Sequence, residues 1–160
     1  MDALMAHDIA TQLVAALAAK KLKITTAESC TGGLIAATIT DISGSSAVFD
    51  RGIVSYANSA KMELLGVSKA TLNKYGAVSE QVAREMAEGA RNAAGADIAI
   101  SATGIAGPTG GTPEKPVGLV HIAISNANGT EAHRHIFPGD RDVIRKAATQ
   151  KALELALSSL

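Results

Sequence analysis

The sequence has no tryptophan and only two tyrosines and two phenylalanines. So few rings leave almost nothing for unpaired bases to stack on, which argues against a single-stranded nucleic-acid binder. An excess of one charge is also missing. Fifteen Lys and Arg balance fifteen Asp and Glu, so no net field draws the chain to nucleic acid or to an anionic membrane. One cysteine, Cys30, excludes an internal disulfide and fits a reducing compartment. No apolar run approaches the ~20 residues of a membrane span. Asp2, His7 and Asp8 break up the N-terminus, so it does not read as a signal peptide. These absences predict a cytoplasmic protein. What remains is a chain of 160 residues, 47% hydrophobic and 19% charged, which suits one core-bearing domain over residues 1–160. Its Ala-rich helix faces and low charge predict a homo-oligomer.

Helical and strand periods alternate along the chain. The pattern predicts a helix over 3–20, a strand over 23–28, a helix over 31–41 and a strand over 49–56. Short helices are expected over 59–65, capped by Asn58, and from Ser68 to Tyr75. Ser79 opens a strong helix over 80–94, and Gly95 ends it. Strands over 97–103, 117–125 and 130–137 follow, the last two joined by the turn Asn126-Ala127-Asn128-Gly129. A final helix after Gly139-Asp140 turns Val143, Ile144, Ala147, Ala148 and Leu155 inward. The order predicts an α/β fold: a three-layer α/β/α sandwich with a mixed, mostly parallel five-stranded sheet containing one antiparallel strand. Ligands then bind beyond the carboxyl ends of the parallel strands, where Ser29, Tyr56 and Thr103-Gly104 stand.

The stretch Thr26-Ala27-Glu28-Ser29-Cys30-Thr31-Gly32-Gly33 reads as a strand–turn–helix junction. Glycines allow a tight bend, and free N–H groups of a first helical turn favour negative charge. A serine placed there can attack a carbonyl while those N–H groups hold the oxyanion. The alternative is that Ser29 or Thr31 merely caps the helix. In Tyr56-Ala57-Asn58-Ser59-Ala60-Lys61, Lys61 falls in a first helical turn, against the dipole. That placement, like partial burial, lowers the pKa of an ammonium and fits a general base toward serine, with Tyr56 relaying or orienting. The bland alternative is a solvated lysine beside a packing tyrosine.

Residues 104–116 carry four glycines and three prolines, a shaped loop without the Gly-Lys-Ser/Thr of a phosphate-binding loop. So long a loop is a candidate pocket wall or a plain surface excursion. Arg141 or Arg145 suits a phosphate, or an ion pair with Asp140 or Asp142. Glu131, His133 and His135 share one strand face, which fits an exposed polar edge better than a metal site. His121 reads as a satisfied core histidine. Cys30 is an alternative nucleophile, but with no clear His partner it reads as packing.

Together the motifs Ala-Glu-Ser-Cys-Thr-Gly-Gly, Tyr-Ala-Asn-Ser-Ala-Lys, Ala-Val-Ser-Glu and Thr-Gly-Ile-Ala-Gly-Pro-Thr-Gly-Gly closely resemble the C-terminal domain of CinA, competence/damage-inducible protein A. The resemblance covers nearly the whole chain. It implies the same three-layer fold. Full-length relatives carry a further N-terminal molybdopterin-binding-like domain, for which 160 residues leave no room. Stand-alone members deamidate nicotinamide mononucleotide to nicotinate mononucleotide and ammonia, so the implied partner is a small-molecule nucleotide. The implied roles are Ser29 as nucleophile, Lys61 as base and Tyr56 as its helper. N–H groups near Thr31, Gly32 and Gly33 would hold the oxyanion. Thr103 and Gly104 would line the substrate site. Arg141, ahead of Arg145 and Lys115, would take the phosphate, with no metal or organic cofactor. A non-catalytic nucleotide-binding domain and a hydrolase of another small amide or ester are the rival readings.

Overall fold

The computed structural model describes residues 3–160, so Asp2 lies outside the described residues. The elements run α1 (Ala3–Lys20), β1 (Ile24–Glu28), α2 (Leu34–Thr40), a 3-10 turn (Ser45–Ala47), β2 (Phe49–Val54), α3 (Asn58–Leu65) and α4 (Lys69–Tyr75). Then come α5 (Glu80–Ala94), β3 (Ile98–Gly104), β4 (Leu119–Asn126), β5 (Gly129–Ile136) and α6 (Arg141–Ser158). The sheet order is β2-β1-β3-β4-β5. β1 pairs parallel with β2 and β3, while β4 is antiparallel to both β3 and β5. Four strands therefore point one way and β4 the other, as the hairpin turn predicts.

The period-two alternation of the strands builds two cores, one on each sheet face. Ile98, Ile100, Val120, Ile122 and Ile124 pack with Leu13 and Leu17 of α1, Ile35 and Ile39 of α2, and Leu153 of α6. Ala27, Ala99 and Ala123 face the other way, against Val82, Met86 and Ala90 of α5 and Leu65 of α3. Small residues on that face let the helices approach closely. β4 is buried along nearly its whole length, as an almost wholly apolar central strand must be.

Ser68 and Ser79 cap α4 and α5 through their hydroxyls, as expected. Three local expectations change. α2 starts at Leu34 rather than Thr31, because Gly32 and Gly33 adopt φ of 61° and 106° and turn the chain before the helix can begin. α3 has Ala57, not Asn58, as its N-cap, with no side-chain cap; Asn58 is the first helical residue. Val143 is 39% exposed, whereas Ile144, Ala147 and Ala148 face inward.

Candidate active site

The parallel strands end on one side of the sheet, and Ser29 follows directly on β1. Its N–H donates to the carbonyl of Ala102 at 2.9 Å, so the ladder with β3 fixes its backbone. Its side chain lies on the sheet face that α3 covers. There Lys61 Nζ sits 3.1 Å from Ser29 Oγ. Nζ also donates to the carbonyls of Ser55 at 2.9 Å and Tyr56 at 3.1 Å. Lys61 is 1% exposed, and burial pushes its pKa below the usual lysine value. Two of the three contacts are carbonyls, which only accept. In a neutral amine the two N–H groups go to them and the lone pair is left facing the Ser29 hydroxyl. The solvated-lysine alternative does not describe this side chain.

The turn after Ser29 is organised by a residue the sequence reading passed over. Glu28 is fully buried. Its Oε1 accepts from the Thr31 hydroxyl at 2.7 Å and the Ile35 N–H at 2.9 Å, and its Oε2 from the Ala36 N–H at 3.0 Å. The carboxylate thus takes the capping role at α2, and the hydroxyls of Ser29 and Thr31 do not. The signal was an acidic residue closing a β-branched strand just before a helix. Glu28→Gln puts an amide N–H against a backbone N–H, so it should lower unfolding stability by about 1–3 kcal/mol, read by urea titration.

Arg145 holds the same turn from α6, with Nε on the Cys30 carbonyl at 3.0 Å and Nη2 on the Thr31 carbonyl at 3.1 Å. A Cβ on Gly32 would lie 2.9 Å from that Nη2. The Arg145 guanidinium is therefore engaged by the turn. The Gly32 N–H donates to the Ser29 carbonyl at 3.0 Å, and Leu34 N–H to the Thr31 carbonyl. Among the described residues, the N–H groups of Cys30, Thr31 and Gly33 donate to no other residue.

A cavity of about 200 Å³ opens over the pair, lined by Ser29, Cys30, Tyr56, Lys61, Thr103, Gly104 and Arg141 among others. Thr31, Gly32 and Gly33 do not line it; they shape the turn. Thr103 is buried, its hydroxyl on the Ala77 carbonyl at 2.8 Å. Tyr56 holds Lys61 by its main-chain oxygen, while its own hydroxyl, on a 63% exposed side chain, accepts from Arg141 Nη2 at 3.2 Å. Its hydroxyl thus meets Arg141 and its main-chain oxygen meets Lys61. Arg141 also donates to the Gly107 carbonyl at 2.7 Å. It meets no carboxylate, because Asp140 caps α6 and Asp142 pairs with Lys146. Lys115 stands elsewhere, its ammonium on the Tyr75 carbonyl.

Burial pushes the Cys30 thiol up to about 11, which leaves it protonated and unreactive near neutrality. His133 and His135 are half-buried rather than an exposed edge, and His133 Nε2 lies 3.7 Å from Glu131. No group of three or more His, Cys, Asp and Glu side chains among the described residues could hold a metal ion. No helix among them is long and apolar enough to cross a membrane.

Comparison with known proteins matches residues 6–160 to the CinA C-terminal domain. The chain is 55% identical over 152 residues to nicotinamide-nucleotide amidohydrolase PncC of Enterobacter agglomerans, covering 94% of this chain and 93% of that protein. It is 54% identical to a CinA-like protein of Anaeromyxobacter dehalogenans, covering 89% of this chain but only 35% of that longer relative. Among solved structures it superposes on competence/damage inducible protein CihA from Agrobacterium tumefaciens with a TM-score of 0.94 at 46% identity, over 96% of this chain and 94% of that one.

Proposed function

The chain belongs to the CinA C-terminal domain family, and from that premise we propose that it is an amidohydrolase that converts nicotinamide mononucleotide and water to nicotinate mononucleotide and ammonia. The 55% identity to a nicotinamide-nucleotide amidohydrolase along almost the full length of both chains supports the substrate. The observation that carries the chemistry is the buried Lys61 amine 3.1 Å from the Ser29 hydroxyl.

Ser29 Oγ attacks the carboxamide carbon as its proton passes to Lys61 Nζ. The Cys30 N–H, on the residue that follows the nucleophile and lines the cavity, holds the developing oxyanion. Gly32 is not a donor here, because its N–H already serves the Ser29 carbonyl. Lys61 returns the proton to the departing nitrogen, which leaves as ammonia, and an ester to Ser29 remains. Water attacks that ester, Lys61 takes the water's proton and returns it to Ser29 Oγ, and the carboxylate product leaves. Thr103 and Gly104 form the wall opposite, and Arg141 reads the phosphate. No metal or organic cofactor takes part. The enzyme works as a homo-oligomer, a reading supported by the exposed edge strand β2 and by Val54 and Leu64, each about half exposed; its single free cysteine supports a reducing compartment, the cytoplasm.

The test is ammonia release with product mass from nicotinamide mononucleotide, run beside the same riboside without phosphate. Arg141→Gln should raise KM for the mononucleotide about tenfold and leave the riboside unchanged. Saturable nucleotide binding by wild type without turnover would select the binding-domain reading instead.

A further inference from the structure

A second cavity of about 260 Å³ lies beside the first and shares Val78 with it. Its floor is the sheet face under α5. Thr103 pairs with His121 across β3 and β4, and His121 pairs with Arg134 across β4 and β5. Direct cross-strand partners lie on one face, so the three form a row. The row starts at Thr103 in the catalytic cavity and ends at Arg134, two strand spacings or about 10 Å away.

His121 lines the second cavity, is only 8% exposed, and was expected to be a satisfied core residue. Instead neither ring nitrogen has a hydrogen-bond partner among the described residues, and Nδ1 is fully buried. Buried polar groups without partners are uncommon in folded proteins. Arg134 lines the same cavity and makes no hydrogen bond or ion pair among the described residues. Lys115 reaches in from the glycine/proline loop with one of its three donors on the Tyr75 carbonyl. The first turn of α5 borders the opening through Ser79, Glu80 and Gln81. Of the two carboxylates there, Glu80 is paired with Arg84 at 3.0 Å, and Glu114 is exposed. Burial, then Arg134 and Lys115, push the His121 pKa below the usual histidine value, against a smaller opposing pull from Glu80. The ring is therefore neutral at pH 7 and able to take up a proton when negative charge arrives.

We propose that this second cavity binds a phosphate-class dianion, held by Arg134, Lys115 and His121. Two fixed cations and one group that gains a proton on binding match a doubly charged, many-oxygen ligand better than a single carboxylate. The dianion comes either from a free phosphate ion or from the nucleotide substrate itself, reaching past Val78. The inference concerns charge recognition and does not depend on the amide chemistry.

The test is proton NMR of the His121 ring in the Ser29→Ala protein, titrated with inorganic phosphate in a phosphate-free buffer. His121→Gln assigns the resonance. A saturable shift and a raised His121 pKa are expected, with binding about tenfold weaker in Arg134→Gln. Arg134 is exposed, so that variant should fold, and circular dichroism checks it. Nicotinamide mononucleotide is then added. If it displaces phosphate from His121, the dianion is the substrate's own and Arg141 does not hold it. If both bind together, the ligand is a separate ion. No saturable shift with either probe, or equal binding by Arg134→Gln, overturns the proposal. Wild-type deamidation is assayed separately, so failure at this cavity leaves the amidase reading standing, and the reverse also holds.

Discussion

Ser29→Ala lowers kcat/KM for the amide by about four orders of magnitude or more, with the fold intact by circular dichroism. The change removes one oxygen whose only hydrogen-bond partner among the described residues is Lys61. The amine keeps its two carbonyl acceptors on Ser55 and Tyr56, so nothing buried is left stranded. The backbone at Ser29 is held by the β3 ladder and the turn by Glu28 and Arg145, none of which uses the hydroxyl. A structural collapse is therefore not expected, and the loss reads directly on chemistry. The neighbouring thiol cannot stand in, because burial holds the Cys30 pKa near 11 and the thiolate is scarce at neutral pH. Ammonia release by the variant within tenfold of wild type would remove Ser29 as nucleophile.

Much of this site was legible because its residues announce themselves through local rules. Ser29 sits where a β-branched strand runs toward two glycines, and Lys61 sits in a first helical turn that a cation normally avoids. The succession of elements and the antiparallel pairing across the Asn126–Gly129 turn followed from period and turn chemistry, whereas the sheet order β2-β1-β3-β4-β5 rests on pairings far apart in the chain. What stayed hidden depends on contacts far apart in the chain. Arg145 is 114 residues from the Thr31 carbonyl it holds, so its guanidinium read equally well as a phosphate ligand. Tyr56 read as either relaying or orienting the proton transfer, because spacing shows only a phenol near the lysine; tertiary packing turns the hydroxyl to Arg141 and the main-chain oxygen to Lys61. Glu28 was overlooked for the opposite reason. A carboxylate at the end of a strand is ordinary, and its three donors appear only once Gly32 and Gly33 fold α2 back over it. His121 is buried as expected but not satisfied, because an apolar strand conceals which neighbours arrive from the loop and from β5.

Lys61→Met should lower kcat by about three orders of magnitude and also remove a pH dependence of stability that wild type possesses. The sign follows from the buried amine. The unfolded lysine keeps its proton up to about 10.5, whereas burial makes the folded one release it at lower pH. Between the two values the unfolded chain binds more protons, so stability rises with pH across that window. Below the folded pKa the penalty for burying the charged form is present in full. Urea titrations from neutral pH upward should show this rise in wild type and its loss in Lys61→Met. Activity must move with it. A base acts only as the neutral amine, so kcat/KM climbs with pH through the same lowered pKa that sets the stability rise. An ammonium that merely donated a hydrogen bond to Ser29 would give the reverse, with activity falling as the proton leaves. The activity midpoint therefore falls where the stability rise begins, and both run in one direction, if Lys61 is the base; the directions are opposed if it is only a donor.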